Sequence, residues 1–260
     1  VIDLHCHVLP GIDDGPDTTE GSVAMARAAV AAGMRTIVAT PHVSTRYRNT
    51  AETIGATASA LRARLAEAGV EVELLEGAEV AMTVVDELGA QQLGALRLGD
   101  GPWLLLEPPF APVAGALEGV VASLQRTGAH VLLAHPERCP AIMREPQMLE
   151  RLVGRGVLAS ITAGSLTGQF GGGVRAFALK LVEQGLVHNV ASDAHDHSNR
   201  PPGIAEAVRS AGLGELLRWF SEDVPAALLA GEEQIPASPA GTPRANAPRE
   251  RRRWLGLRRT

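Results

Sequence analysis

His5 and His7 stand two residues apart in an otherwise apolar opening run, and Asp193 and His195 repeat that spacing far along the chain. On a strand, residues two apart face the same side, so each pair offers two donor atoms to one space while Cys6 points the other way. Cys6 reads as a small buried hydrophobe. His42, Glu79, Glu107 and His135 each fall at or just beyond the end of an apolar run. Carboxylates there are costly to hold unless a cation compensates them, and no matching set of Lys sits at the same places. Mixed imidazole and carboxylate donors suit zinc, iron or manganese better than calcium. The set is too large for one ion, so two or three divalent metals are expected.

Two further features belong to the same chemistry. Asp13-Asp14-Gly15-Pro16 has the composition of a turn, and as a turn at the mouth it can also deliver one carboxylate, with Asp14 favoured over Asp13 or neither. Arg138, three residues after His135, and Arg200, seven after Asp193, would occupy loops at the same mouth. A guanidinium fork matches phosphate oxygens. Either arginine taken singly reads equally well as a solvated loop residue. His130 and His188 begin apolar runs and belong at the opposite, structural end, whereas His197 reads as a solvent or substrate contact.

The elements that must position these groups repeat. Seven apolar runs of strand length are read at Ile2 to His7, Thr36 to Thr40, Val72 to Gly77, Trp103 to Glu107, Val131 to His135, Val157 to Thr162 and Val187 to Ser192. Runs as uninterrupted as Val131-Leu132-Leu133-Ala134 are expected of parallel strands covered on both sides. Helical stretches separate them. Asp17-Thr18-Thr19-Glu20 carries a capping-box spacing, and Pro146 suits a first helical turn. Gly33, Gly69, Gly128, Gly156 and Gly185 each precede a strand, where a helix end needs a left-handed residue. The repeated unit predicts a (β/α) barrel over a doubly wound sheet. The C-terminal strand ends of a barrel share one face, which would gather the candidate ligands into one pocket.

Bulk composition is compatible with one such domain. The chain has 260 residues, 45% hydrophobic and 20% charged. Residues 1–233 form the expected barrel and 234–260 a Pro- and Arg-rich basic tail without apolar period. Net charge is -5, yet residues 236 to 260 carry seven Arg against Glu250 alone, which leaves a strongly acidic body. Such a body argues against nucleic-acid binding and hints at bound cations. Two cysteines make no disulfide framework. Neither a secretory signal nor an apolar run long enough to span a membrane is read. A cytoplasmic setting is expected, with the tail, through Trp254, Leu255 and Leu257, offering contact to the inner face of the membrane or to an acidic protein segment.

Five motifs carry a resemblance: Ile2-Asp3-Leu4-His5-Cys6-His7, Asp13-Asp14-Gly15-Pro16, Ala39-Thr40-Pro41-His42, Ala134-His135-Pro136-Glu137-Arg138 and Ala191-Ser192-Asp193-Ala194-His195. The sequence resembles the polymerase and histidinol phosphatase (PHP) family, and within it the bacterial manganese-dependent tyrosine-protein phosphatases of capsule and exopolysaccharide synthesis. The resemblance implies a distorted seven-stranded TIM-like barrel with a trinuclear centre, manganese being the first choice and iron or zinc the alternatives. By that resemblance His5, His7, Glu79 and Asp193 hold one ion; Glu79 bridges to a second held with Glu107 and His135; Asp14, His42 and His195 hold a third. Arg138 and Arg200 match the arginines near its phosphate site. It also implies a phosphotyrosyl protein as substrate, an autophosphorylating tyrosine kinase being the expected partner.

Divalent ions acidify a bound water to about neutral pKa and neutralise phosphoryl oxygens, so hydrolysis by attack of a metal-bound hydroxide is expected. A thiol mechanism is disfavoured, because neither cysteine is followed by Arg with the required five residues between them: Arg144 leaves only four after Cys139, and Ile12 occupies the place after Cys6. The rivals are a phosphatase of a small phosphomonoester such as histidinol phosphate, and a noncatalytic protein in which metals serve only stability.

Overall fold

The computed structural model describes residues 1–111 and 115–239. Among the described residues there are nine strands: β1 (Ile2–Cys6), β2 (Thr36–Ala39), β3 (His42–Val43), β4 (Glu73–Glu76), β5 (Glu79–Ala81), β6 (Trp103–Glu107), β7 (His130–Ala134), β8 (Leu158–Thr162) and β9 (Asn189–Ala191). They make two parallel sheets of a mixed α/β fold, ordered β1-β2-β4 and β3-β5-β6-β7-β8-β9. Each of the seven runs read from sequence holds a strand, and two short strands that were not read, β3 and β5, follow Thr36–Thr40 and Val72–Gly77 after a break. Proline at 41 has no N–H to give a ladder, and its carbonyl instead accepts from Glu79 N at 3.1 Å. In the neighbouring run a Cβ on Gly77 would meet the side chains of Leu98 and Val38 at 3.0 and 3.1 Å, so a larger residue would crowd them where the chain draws close.

The pairing therefore resumes one step later with the same neighbours: β2 lies against β4, and β3 against β5. Across the other edge, Cys6 and Ala194 form a parallel bridge. Asp193 N donates to His5 O at 2.8 Å and His7 N to Ala194 O at 2.9 Å, tying β1 to the segment after β9.

Burial explains the uninterrupted apolar strands. Leu105 and Leu106 of β6, and Val131, Leu132 and Leu133 of β7, have no exposed surface, since helices cover what the neighbouring strands leave. Each such side chain contributes roughly 2 kcal/mol through removal from water. The five glycines before strands all have positive φ, from 64° to 88°, which ends each helix with a left-handed residue and turns the chain into the next strand. The first long helix starts one residue later than its capping box suggested: Thr18 is the cap, its hydroxyl accepting from Gly21 N at 3.2 Å. Pro146 is the cap of the helix Gln147–Val153.

Packing continues past residue 233. Ile235 lies against the core, and Trp219 Nε1 donates to Pro236 O at 2.9 Å. Among the described residues no helix is long and apolar enough to cross a membrane. The seven arginines of the basic tail, with Trp254, Leu255 and Leu257, lie outside the described residues.

Candidate metal centre

Glu79 occupies the middle of the candidate centre because β5 opens there, immediately after the Gly77 approach. The residue is 1% exposed. Its Oε1 lies 2.8 Å from His135 Nε2, while Oε2 lies 3.1 Å from His42 Nδ1, 3.2 Å from His5 Nε2 and 3.4 Å from His7 Nε2. His5 Nε2 and His7 Nε2 are 3.1 Å apart, and each is 3.6 Å from Asp193 Oδ1. Asp14 Oδ1 sits 3.4 Å from both His42 Nε2 and His195 Nε2, and His42 Nδ1 lies 3.9 Å from Glu107 Oε2.

Nitrogen and oxygen donors at about 2.1 Å from one ion stand about 3 Å from each other. Most of these separations fit that spacing. Four overlapping groups result: His7, Asp14, His42 and His195; His5, His7 and Asp193; His5, Glu79 and His135; and His42, Glu79 and Glu107. All nine ligand candidates read from sequence are thus brought together, although His42 and Glu79 begin short strands instead of ending long ones.

One buried atom supports a cation at this place. Glu79 Oε2 has no hydrogen-bond partner, and a buried polar atom left so is costly unless something else satisfies it. Borderline divalent ions suit the donors. Electrostatics agree. Burial opposes ionisation of Glu79, yet His5, His135 and His7 outweigh it and hold the carboxyl well below its usual range. Asp193 is likewise buried, and His5, His135, Arg200 and His7 keep it low. Glu107 is different: burial, then the charge of Glu79, push its pKa up to about 8.

The capsular polysaccharide synthesis family CpsB/CapC matches residues 1–213. This chain belongs to the CpsB/CapC family. It is 41% identical over 211 residues to the tyrosine-protein phosphatase YwqE of Bacillus subtilis, covering 80% of this chain and 82% of that protein. The putative tyrosine-protein phosphatase CapC of Staphylococcus aureus is 32% identical over 202 residues, covering 77% and 79%. A solved structure from work on YwqE and on CpsB of Streptococcus pneumoniae, described as metal-dependent tyrosine phosphatases, superposes with a TM-score of 0.84 at 38% identity, covering 94% of this chain and 99% of that one. A lactonase from Listeria monocytogenes shares the fold alone, with a TM-score of 0.55 at 13% identity over 88% of this chain and 94% of that one.

In this CpsB/CapC chain the two arginines meet the centre through one carboxylate. Asp193 turns Oδ1 toward His5 and His7, and its Oδ2 accepts from Arg138 Nη1 at 2.5 Å, Arg200 Nη2 at 2.7 Å and Thr162 Oγ1 at 3.3 Å. Arg200 Nη2 also donates to the Asp193 carbonyl at 3.0 Å. Both guanidiniums keep further N–H donors and line a cavity of about 280 Å³ with Asp14, His42, Glu107 and His195. The Arg138 guanidinium lies 4.2 Å from the centre of the Phe170 ring, a cation–π contact that fixes its plane.

Several roles here were not read from the sequence. Asp13 is the inward carboxylate of the turn, but it serves His7: Oδ2 accepts from His7 Nδ1 at 2.7 Å and from His42 N at 3.2 Å. Asp14 is the carboxylate in the cluster, and its side chain is 45% exposed. A Cβ at Gly15 would fall 2.2 Å from His7 O, so glycine alone lets this turn close. Asp3 accepts from Ser192 N at 3.0 Å and from His5 N at 3.3 Å, and Glu137 accepts from Thr162 N and Ser165 Oγ. His135 and Asp193 are the two non-glycine residues with positive φ among the described residues, at 29° and 49°. Such conformations cost about 1–3 kcal/mol each and gather where function holds them. His130 and His188 lie at strand starts as expected, and His197 is exposed.

Proposed function

We propose that this chain is a metal-dependent protein-tyrosine phosphatase, built as a distorted seven-stranded barrel in which β2 with β3, and β4 with β5, each count as one interrupted strand. The barrel would span residues 1–233, with Ile235 and Pro236 still packed against it, and the basic tail would follow to residue 260. The observation that carries the activity is the division of Asp193: one oxygen faces the imidazoles of His5 and His7, and the other accepts from Arg138 and Arg200. Cation ligands and phosphate-binding guanidiniums thereby flank one space. Relatives named as tyrosine-protein phosphatases support the substrate class.

The ligand assignment proposed is His5, His7, Glu79 and Asp193 for one ion, Glu79, Glu107 and His135 for a second, and Asp14, His42 and His195 for a third, with manganese as first choice. Divalent cations held there would supply an acidified water and charge neutralisation at the phosphoryl group. Arg138 and Arg200 would bind the equatorial phosphoryl oxygens with their remaining N–H groups and stabilise charge that grows there during transfer. Asp193 would orient both guanidiniums while they do so. Asp13 would keep His7 turned toward the centre. A phenol has a pKa of about 10, so departure of the leaving oxygen asks less of a proton donor than an alkyl alcohol would.

The proposed physiological substrate is a phosphotyrosyl protein, a tyrosine kinase of capsule or exopolysaccharide synthesis, met at the inner face of the membrane with help from the tail. Phosphate release from a phosphotyrosyl peptide tests the activity, using metal-stripped enzyme resupplied with manganese beside His135→Ala. Metal-dependent release lost in the variant is the expected result. Folded, metal-loaded protein that releases none would overturn the reading.

A further inference from the structure

The chain contains only four Phe, three Trp and one Tyr. Trp103, Trp219, Phe177 and Phe220 are core residues, and Trp254 lies outside the described residues. The three that remain, Tyr47, Phe110 and Phe170, all stand around the candidate centre. Tyr47 stacks on His42, with ring centres 5.8 Å apart and planes 10° from parallel. Phe170 lies beneath the two arginines, 4.2 Å from Arg138 and 5.8 Å from Arg200.

Phe110 is the unusual member. It is 54% exposed, against 37% for Val30, the other large apolar side chain left open among the described residues. An exposed ring forgoes the stabilisation of burial, yet this one is held in place. Pro108 and Pro109 stiffen the chain before it, and the Cys139 thiol donates to the Pro109 carbonyl at 3.5 Å. The ring stacks on His135 at 5.4 Å with planes 27° apart, and the Arg138 guanidinium lies 5.3 Å from its centre. It thus borders the cavity beside the ligand candidate His135 and beside Arg138.

We propose that Phe110 is the specificity-determining residue for an aryl leaving group, packing against the ring of an aryl phosphate whose phosphoryl group rests at Arg138 and Arg200. The inference rests on the phosphatase reading above. Aromatic rings attract one another in offset or edge-on geometry beyond what their area alone provides, and an alkyl phosphate offers no ring to meet. The structural alternative, that Phe110 only shields His135, would act equally on every phosphate ligand.

Calorimetric binding of phenylphosphonate and of ethylphosphonate to the manganese-loaded full chain separates these cases without turnover. The wild-type protein should prefer the phenyl compound. Phe110→Leu, which keeps apolar bulk but removes the ring, should lower the phenyl-to-ethyl affinity ratio by about tenfold, and Phe110→Tyr should retain it. An unchanged ratio in Phe110→Leu, with both ligands bound, overturns this inference alone. Failure of both ligands to bind the wild-type protein overturns the phosphatase reading and this inference with it.

Discussion

Asp13 accepts a hydrogen bond of 2.7 Å from His7 Nδ1, which leaves Nε2 as the nitrogen presented to His5 and Glu79. Burial disfavours charge on this imidazole, but Asp13 and Glu79 outweigh it and raise its pKa well above the ordinary value. A carboxylate behind a ligating imidazole fixes the ring and its tautomer, and losing it typically costs 10–100-fold in metal affinity. Asp13→Asn should therefore weaken manganese binding by about one to two orders of magnitude. Titration of the metal-stripped protein measures this, and wild-type affinity in the variant would remove Asp13 from the account.

Arg138→Lys tests the guanidinium fork. Lysine keeps the charge but neither donates in parallel nor stacks flat on Phe170. We expect kcat/KM for a phosphotyrosyl peptide to fall by about 10²-fold, with metal content measured in parallel by mass spectrometry. A variant that retains its ions and its rate would leave Arg138 with no part in binding phosphate.

Metal uptake should release protons. Glu107 has a pKa of about 8 through burial and the charge of Glu79, so at pH 7 it carries a proton that a cation must displace. In the metal-stripped protein this raised pKa contributes stability that is full below the unfolded carboxyl value of about 4.3 and is lost as pH rises through 8. Apparent manganese affinity should consequently climb between pH 6 and 8. Calorimetry in two buffers of different ionisation enthalpy counts the protons, and zero release at pH 7 would contradict the assignment of Glu107.

His188 predicts an acid weakness far from the centre. Burial lowers its pKa to about 4, and its Nδ1 accepts from Ala159 N at 3.1 Å. The folded pKa lies below the unfolded value near 6.5, so the unfolded chain binds the extra proton. The stabilisation is complete above about pH 6.5 and is lost as pH falls through 4, amounting to about 3 kcal/mol at most. Urea midpoints at pH 7 and 4.5 should differ less in His188→Gln than in the wild type. Equal differences would show that His188 is not responsible.

The arrangement of strands was legible for a physical reason. Parallel strands buried on both faces must be apolar throughout, as Trp103–Glu107 and His130–Ala134 largely are, and five helix ends needed glycine. The interruption at Pro41 was also present in the sequence, since proline lacks the donor a ladder uses. The one near Gly77 was not, because its cause is the close approach of Val38 and Leu98 from distant segments.

The sequence by itself determined which side chains are the ligand candidates: alternation put His5 with His7 on one face, the turn after the first strand offered Asp14, and the ends of apolar runs named the rest. Tertiary structure alone decided how they divide the work. It turned Asp13 to His7 and Asp14 to His42 and His195, because the turn closes on the His7 carbonyl at Gly15. It also gave Asp193 its two directions and set Phe110 and Phe170 against Arg138. Periodicity is local and specifies a face; the partner across that face comes from segments up to about two hundred residues away, brought together only when the strands pair.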